Sequence, residues 1–149
     1  MKLDKFDREI LRVMQKDATV SMADLSQRVG LSHTPCWRRV KRLEADKVIL
    51  QKVTLLDNKK LNLGVSVFIY VTLKNHDGES LNDFEKAVQN IESIVECHTT
   101  SGDKDYLLKV IVESIEEYEH LLKTKLTNLP LVDHLSSTFA LKQVKNTTE

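Results

Sequence analysis

The spacing of apolar residues changes near residue 62, and this change constrains the fold more than any other feature of the chain. Before it, apolar residues recur every three or four positions in three short stretches, which is typical of amphipathic helices. After it, Val65, Val67, Ile69, Val71 and Leu73 alternate with other residues, which is typical of a strand. We therefore expect an α+β protein with a helical front half and a sheet-containing back half.

The front half predicts three helices, of which the last two are separated by a short turn. Asp4 is the expected N-cap of the first helix and Ser21 that of the second, which ends at the left-handed position supplied by Gly30. Ser32 or Thr34 is expected to cap the third. Two helices joined by a short turn, the second of them basic, indicate a helix-turn-helix whose last helix reads DNA.

This third helix has one apolar side and one cationic side. At about 100° per residue, Cys36, Val40 and Leu43 fall in one narrow sector that can pack against the other helices. The opposite side carries the hydroxyl of Thr34 and three cations, which are Arg38, Lys41 and Arg42. Such a face suits a DNA major groove, although most basic helices only present a solvated face.

Position along the helix predicts the role of each side chain. Arg38 lies near the helix start and is the expected base reader, whereas Lys41 and Arg42 are expected to hold phosphates. Arg39 lies nearer the buried side, where a salt bridge within the chain is at least as good an interpretation. Trp37 suits partial core packing and groove contact equally well. The candidate DNA-binding residues are Ser32, His33, Thr34, Trp37, Arg38, Lys41 and Arg42.

Charge is distributed unevenly, although the net formal charge is zero. Residues 1–60 hold 14 Lys or Arg and 8 Asp or Glu, whereas the remainder holds 8 basic and 14 acidic residues. This asymmetry predicts two modules with different partners. Because no apolar run is long enough to cross a bilayer and the amphipathic start has no signal-peptide core, we expect a soluble cytoplasmic protein with no membrane partner.

The predicted domain boundaries follow from composition. Residues 1–47 form the expected helix-turn-helix domain, and residues 48–62 form a linker or hinge strand because residues 47–56 are rich in β-branched side chains. Residues 63–149 form the second domain. Its predicted order is strand, helix capped by Ser80, strand, strand, helix with a Ser114–Glu117 capping box, and a final strand over residues 132–144.

This βαββαβ order is that of a ferredoxin-like fold, an antiparallel four-stranded sheet with both helices on one face. The other face is left bare. Phe68 and Tyr70 are expected to lie there, so that self-association is the simplest way to cover the face.

Residues for catalysis or metal binding are not grouped in any recognised pattern. His76, His98, His120 and His134 are scattered, and neither a nucleophile elbow nor a phosphate-binding glycine loop occurs. Asp103 and Asp105 make a weak catalytic pair because no partner base accompanies them. Cys36 and Cys97 are expected to be reduced packing residues. We therefore predict no enzyme, no metal and no cofactor.

Three sequence strings resemble the Lrp/AsnC family of bacterial and archaeal feast/famine regulators. They are Leu3-Asp4-x-x-Asp7, Leu31-Ser32-x-Thr34-Pro35-Cys36-x-x-Arg39-Val40-x-Arg42-Leu43-Glu44, and Ser101-Gly102-Asp103-x-Asp105-Tyr106-Leu107-Leu108. The resemblance runs nearly end to end. It implies a winged helix-turn-helix followed by a ferredoxin-like (RAM-type) effector domain. It also implies dimers that assemble into octamers or larger rings, with an amino-acid effector between subunits.

The resemblance also implies an effector pocket around Gly102. Glycine lets a ligand approach the backbone closely, and the carboxylates of Asp103 and Asp105 suit an α-ammonium group. The residues implied near this loop are Thr99, Thr100 and Tyr106, and a neighbouring subunit adds Ser136, Thr138 and Ala140. The loop is alternatively a plain β-turn, and Asp103 an assembly contact.

Three positions depart from the family pattern. His33 stands where many members have proline, and Trp37 is bulkier than the leucine common at its place, so the operator sequence cannot be taken from a relative. Thr138 replaces an aromatic residue of some leucine-responsive members, which argues against leucine as the effector. Sulfur-containing and branched-chain amino acids are the first candidates. The ending at Thr147 to Glu149 is short beside longer family tails, which leaves a truncated chain open.

The favoured hypothesis is therefore a sequence-specific transcriptional regulator that binds double-stranded DNA and responds to a small amino acid. One alternative is an architectural protein that compacts DNA with little sequence preference. Another is a ferredoxin-like small-molecule-binding protein or enzyme that uses the helical half as a dimerisation arm. Sequence leaves the operator, the effector, the sign of regulation and the ring size open.

Overall fold

A computed structural model of the chain describes residues 2–75 and 77–148, and it divides them into two compact units. The first unit ends at Leu55 and includes the chain from Val144 onward, and the second is Leu56–Gln143. The predicted boundaries at residues 47 and 62 stay a prediction. His76, expected in a loop before the fourth helix, lies outside the described residues.

The first unit contains three helices, which are α1 (Lys5–Lys16), α2 (Met22–Val29) and α3 (His33–Ala45). Asp4 and Asp7 cap each other's backbone in a capping box at the start of α1, and the Ser21 side chain accepts the Asp24 N–H at the start of α2. Gly30 ends α2 at φ +74°, a left-handed conformation that glycine adopts without steric cost. These predictions are confirmed. Ser32 occupies the N-cap of α3, but its side chain makes no capping hydrogen bond.

One buried cluster holds the three helices together. It consists of Ile10, Leu25, Val29, Cys36, Val40 and Leu43. The end of the chain returns to this unit, where Gln15 Nε2 donates to the Thr148 carbonyl at 2.8 Å and Thr148 Oγ1 donates to the Gln15 carbonyl at 2.9 Å.

Of the linker or hinge strand predicted for residues 48–62, the strand is wrong. The N–H groups of Val48 and Ile49 bond to the Leu43 carbonyl and wrap the chain around the end of α3. The following segment contains no strand, and Leu50, Val53 and Leu55 are exposed. β-branched residues form a strand only where a neighbouring strand satisfies their backbone groups, and the described residues supply none here. A short 3₁₀ helix, Asn58–Leu61, follows this segment.

The second unit has the predicted βαββαβ order. Its elements are β1 (Val65–Leu73), α4 (Gly78–Gln89), β2 (Ile94–Thr99), β3 (Tyr106–Val112), α5 (Ile115–Thr124) and β4 (Val132–Phe139). All neighbouring strands are antiparallel, and the spatial order is β2-β3-β1-β4. Both helices pack on one face of the sheet, where apolar residues of β1 and β3 form the larger core with Phe84, Val88, Tyr118 and Leu121.

Four local expectations in this unit need correction. Asp77 rather than Ser80 is the N-cap of α4, because its carboxylate accepts the Ser80 N–H at 3.0 Å. Ser114 caps α5 as predicted, but the capping box is not formed. The Glu117 carboxylate accepts the Glu113 N–H and not the Ser114 N–H. The last strand ends at Phe139, well before residue 144. Cys97 is exposed on the edge strand β2, whereas Cys36 is buried as expected, and both are free thiols.

Candidate DNA-binding face and effector loop

The predicted DNA-binding residues lie together on the exposed side of α3. Cys36, Val40 and Leu43 face the core, which fixes the rotation of the helix about its axis. All seven candidates are consequently exposed, namely Ser32, His33, Thr34, Trp37, Arg38, Lys41 and Arg42. Trp37 keeps 46% of its surface accessible, so it contributes little to the core. The turn before α3 and the side of α3 opposite its apolar residues therefore present one continuous surface to solvent.

An ionic cluster joins α1 to α3 at the edge of this surface. The buried carboxylate of Asp7 lies 2.8 Å from Arg39 Nη1 and 2.6 Å from Arg42 Nη2. Arg39 also pairs with Asp4, whose carboxylate lies 2.7 Å from the same guanidinium nitrogen. The internal salt bridge considered for Arg39 is thus present. Sequence reasoning identified Asp4 as the helix cap but missed Asp4 and Asp7 as partners of the α3 arginines, because their three-residue spacing signals only the start of a helix.

The cluster changes the proton affinity of two of its members. The pKa of Asp4 lies below its ordinary value, first because the Asp7 N–H donates to it and then because Arg39 does. The pKa of Arg39 is raised by its hydrogen bonds to Asp4 and Asp7. Both groups are therefore charged throughout the physiological pH range, and the cluster holds α1 and α3 together as a set of ion pairs.

The remaining cations of α3 differ in their partners. Lys41 Nζ lies 2.7 Å from a carboxylate oxygen of Glu44, one turn further along the helix, and this hydrogen bond is the main cause of the lowered pKa of Glu44. Arg38 has no carboxylate partner among residues 2–75 and 77–148. The guanidinium predicted to read bases is the one that the protein leaves without an acidic neighbour.

The predicted effector loop connects β2 to β3. Gly102 has φ +114°, in the region that side-chain-bearing residues avoid, and open space surrounds the position of a Cβ atom. Asp103 is almost fully exposed, with Lys104 Nζ 3.6 Å from its carboxylate. Thr99 ends β2, and Thr100 Oγ1 donates to the Lys104 carbonyl at 2.6 Å. The loop thus presents accessible backbone at Gly102 and an accessible carboxylate at Asp103.

Asp105 and Tyr106 have structural partners inside the sheet unit. The Asp105 carboxylate accepts the Leu73 N–H at 2.7 Å, which ties the loop to the end of β1. Tyr106 is buried on the helix-covered face, where its ring stacks on Phe84 and its hydroxyl donates to Glu85 Oε1 at 2.9 Å. Burial, and then Glu85, raises the pKa of Tyr106. Sequence reasoning missed Glu85, which lies on a helix far along the chain from the loop.

The other effector candidates lie on β4 or directly after it, at the opposite edge of the sheet from β2. Ser136 and Thr138 pair with Tyr70 and Phe68 of β1, and the Ala140 N–H donates to the Ser66 carbonyl at 2.9 Å. A single chain therefore does not bring these residues together with the loop. The prediction that a neighbouring subunit supplies them is compatible with this separation and stays a prediction.

Neither α4 nor α5 packs on the second face of the sheet, and we call it the open face. Strand pairing places twelve residues on it, namely Ser66, Phe68, Tyr70, Thr72, Glu96, His98, Leu107, Lys109, Ile111, His134, Ser136 and Thr138. Apolar and aromatic side chains occupy its centre, and Tyr70 is 41% exposed. Towards β2, Lys109 lies 2.6 Å and His98 3.4 Å from the Glu96 carboxylate. The expectation of a bare, partly apolar face is confirmed.

The described residues meet the requirements neither of a metal site nor of a membrane-spanning helix. His, Cys, Asp and Glu side chains form no group of three or more there that suits a metal ion. No helix in that part of the chain combines the length and the apolar character needed to cross a bilayer.

Comparison with protein families assigns a role to each unit. Residues 3–49 match the model of a winged helix-turn-helix DNA-binding domain, and residues 66–149 match that of the Lrp/AsnC ligand binding domain. The two matches cover the three helices and the whole βαββαβ unit. They support the α+β assignment and the order of its two modules.

Individual proteins agree with this assignment over nearly the full chain. The glutamate uptake regulatory protein of Zymomonas mobilis is 43% identical over 147 residues, which are 99% of this chain and 89% of that protein. The crystal structure of an AsnC family transcriptional regulator from Agrobacterium tumefaciens superposes with a TM-score of 0.93 at 43% identity, covering 99% and 95% of the two chains. A Neisseria meningitidis transcriptional regulator in complex with L-Met reaches the same TM-score at 33% identity and the same coverage.

Proposed function

The chain belongs to the Lrp/AsnC family of transcriptional regulators, and from this premise we propose that it binds specific DNA sequences under the control of an amino acid held between subunits. The family consists of DNA-binding regulators with an amino-acid-responsive domain and not of enzymes. We propose that the protein acts in the cytoplasm on nucleoid DNA. The observation that carries the proposal is the exposed face of α3, on which Arg38 has no carboxylate partner among the described residues.

We assign base recognition to Arg38 and phosphate contact to Lys41. A guanidinium without an acidic neighbour is available for the bidentate hydrogen bonds that distinguish guanine in the major groove. Ser32, His33 and Thr34 surround the start of α3, where backbone N–H groups and the helix dipole favour a phosphate. The Ser32 hydroxyl makes no cap hydrogen bond, which is compatible with a contact to DNA. Trp37 is proposed to pack along the groove wall.

We assign amino-acid binding to the loop after β2. The accessible backbone at Gly102 suits an α-carboxylate, and the exposed Asp103 suits an α-ammonium group. Thr99 and Thr100 flank this position, while Asp105 and Tyr106 hold the loop in shape from beneath. In this proposal Ser136, Thr138 and Ala140 of a neighbouring subunit complete the pocket. The L-Met complex of the Neisseria regulator supports an amino acid as the class of ligand.

We propose that the open face is covered by a second copy of the chain. Its centre carries Phe68, Tyr70, Leu107 and Ile111, and removing these side chains from water favours association. A two-fold dimer would present two α3 helices to DNA, so that the operator would be a palindrome with half-sites about one helical turn apart. Octamers or larger rings are the further assembly proposed.

Selection of binding sites from a random duplex library tests DNA recognition. We expect the wild-type protein to enrich one near-palindromic motif. Arg38→Ala should lose about 1–3 kcal/mol of discrimination at one base pair per half-site, since a bidentate contact is removed. Arg12→Ala is the matched control, because Arg12 is an exposed arginine of α1 that pairs with Glu9. Enrichment of an unchanged motif by Arg38→Ala would contradict the assignment.

A thermal-shift screen of the twenty amino acids tests the effector proposal. A ligand at one hundred times its Kd stabilises the native state by about 2.7 kcal/mol, which is readily measured. Sulfur-containing and branched-chain amino acids are expected to give the largest shifts. Asp103→Ala should abolish the shift without changing the melting temperature of the free protein, because its exposed carboxylate contributes little to folding. A screen without any stabilising amino acid would refute this part of the proposal.

A further inference from the structure

Most of the positive charge on α3 is neutralised within the protein. The helix carries four cations, of which Arg39 and Arg42 contact Asp7, Arg39 also contacts Asp4, and Lys41 contacts Glu44. Only Arg38 lacks a carboxylate partner among the described residues. The four groups Asp4, Asp7, Arg39 and Arg42 sum to zero charge, so this edge of the DNA-binding face attracts phosphate much less than its arginine content suggests.

Exposure distinguishes the pairs that DNA can open from the pair that it cannot. Lys41 and Glu44 are 55% and 30% exposed, and such a pair is weak, screened by salt and readily exchanged for a phosphate. Arg42 is 47% exposed, but the Asp7 carboxylate is only 1% exposed. When Arg42 leaves, this carboxylate keeps Arg39 and the Asp4 N–H but loses one of its two cations. Water cannot replace that cation at a buried group, so the loss of this ion pair is costly.

Asp7 is also fixed in place by the fold. It lies in the first turn of α1, where it forms the capping box with Asp4, and its carboxylate accepts the Asp4 N–H at 3.2 Å. Ile10, one turn further along α1, is fully buried in the helical core. The carboxylate therefore cannot follow Arg42 toward DNA, and Arg42 is held at the α1 side of the binding face.

We propose that Asp7 is a specificity-determining residue that keeps Arg42 away from the DNA backbone and so limits binding to duplexes of arbitrary sequence. This inference rests on the proposed DNA-binding function and revises the phosphate role expected for Arg42. Sequence-independent affinity arises almost entirely from phosphate contacts, whereas base contacts supply selectivity. Keeping one cation of each α3 away from DNA lowers the sequence-independent affinity. It leaves Arg38, which supplies the selectivity, unchanged.

The salt dependence of binding to a random-sequence duplex counts phosphate contacts directly. Each contact adds about 0.9 to the slope of log K against log salt concentration. We expect Lys41→Gln to lower this slope by about 0.9 per bound α3. Arg42→Gln, one residue further along the same helix, should leave the slope unchanged. Equal losses in both variants would show that Arg42 leaves Asp7 for a phosphate and would overturn the proposal.

Asp7→Asn provides the converse test. Asparagine keeps an acceptor for the Asp4 N–H, and Arg39 keeps its pair with Asp4, but Arg42 loses its anionic partner. We expect a slope steeper by about 0.9, tighter binding to random duplex and a smaller ratio of operator to random affinity. The double variant Asp7→Asn/Arg42→Gln should return the slope to that of Arg42→Gln, because the added contact belongs to Arg42.

The outcomes separate this inference from the function on which it rests. A wild-type protein without salt-dependent duplex binding would overturn both. A wild-type protein that binds normally, together with an Asp7→Asn variant whose slope is unchanged, would overturn the inference alone. If Asp7→Asn does not fold, which circular dichroism reveals, the comparison of Arg42→Gln with Lys41→Gln still decides the question, since Arg39 continues to pair with the Asp7 carboxylate in both variants.

Discussion

The surfaces of the helical unit and the sheet unit differ in the kind of group that they leave exposed. The helical unit neutralises three of its four α3 cations and leaves Arg38 without an acidic partner among the described residues. The sheet unit covers one face with α4 and α5, and neither of these helices packs on the open face. An unpaired cation interacts favourably with an anion, and an exposed apolar face is stabilised when it packs against another apolar surface. This difference supports the proposal that the helical unit binds DNA and the sheet unit joins copies of the chain.

The two units also differ in how much apolar surface they bury. Six apolar side chains are buried in the helical cluster, and fifteen are buried in the sheet cluster. Stability rises with buried apolar area, so we expect the helical unit to be the less stable of the two. Its ion pairs between α1 and α3 fix geometry more than they add stability, because desolvation offsets much of their attraction.

The largest expected effect comes from truncating one leucine in each core. Leu43 and Leu108 are both fully buried, and replacing either with Ala should cost about 3 kcal/mol. The single tryptophan, Trp37, reports on the helical unit by fluorescence. We expect the helical unit of Leu43→Ala to be unfolded at 37 °C, as reported by Trp37 fluorescence. The sheet signal in circular dichroism should persist at this temperature. Leu108→Ala should lower only the sheet transition. Equal shifts of both transitions in either variant would show that the two units do not unfold separately.

The next effect concerns self-association, which we expect to depend on the sheet unit and not on the helical unit. Tyr70→Asp places a charge in the centre of the open face, which should disperse the assembly to monomers of 17.1 kDa in sedimentation. Ile115→Asp is the matched control, because Ile115 is also an exposed apolar residue but lies on α5, away from the open face. Retained assembly in Tyr70→Asp would show that another surface joins the copies.

A smaller effect distinguishes the two left-handed glycines, one in each unit. Gly30→Ala places a side chain at φ +74°, close to the left-handed helical region, and should destabilise the helical unit by about 1 kcal/mol. Gly102→Ala is more strained at φ +114° and should also weaken the thermal shift caused by the amino acid. Denaturant titration and the amino-acid screen measure both. An unaltered ligand response in Gly102→Ala would argue against backbone binding at this loop.

The smallest effect is the acid sensitivity that two helix caps confer. The pKa of Asp4 is lowered by the Asp7 N–H and Arg39, and that of Asp77 by the hydroxyl and N–H of Ser80. A carboxyl whose pKa is lower in the folded state stabilises the fold above its unfolded value, near 3.8, and loses this contribution as pH falls through the folded value. Asp4→Asn should therefore flatten the fall in the helical melting temperature below pH 4, and Asp77→Asn that of the sheet. Unchanged acid profiles would contradict these roles.

Sequence reasoning succeeded where one local pattern has one physical solution. Asp4, Ser21 and Ser114 are the helix caps it predicted, and the alternation from Val65 to Leu73 is the central strand β1. It failed where two local solutions compete. Asp77 and Ser80 are both good caps three residues apart, and the first of them begins α4. The β-branched run after α3 required a partner strand that the described chain does not contain.

The sequence by itself determined the order of helices and strands, the apolar sides that pack inward and the cationic side of α3, because hydrophobic period and capping act within a few residues. Only the tertiary structure decided which cations remain available for DNA and which effector candidates lie within reach of one another. Asp7 meets Arg42 across 35 residues, and Tyr106 meets Glu85 across 21, through packing that no local pattern encodes. Charge and hydrogen bonding depend on distances between atoms, and those distances are set when the helices and the sheet assemble.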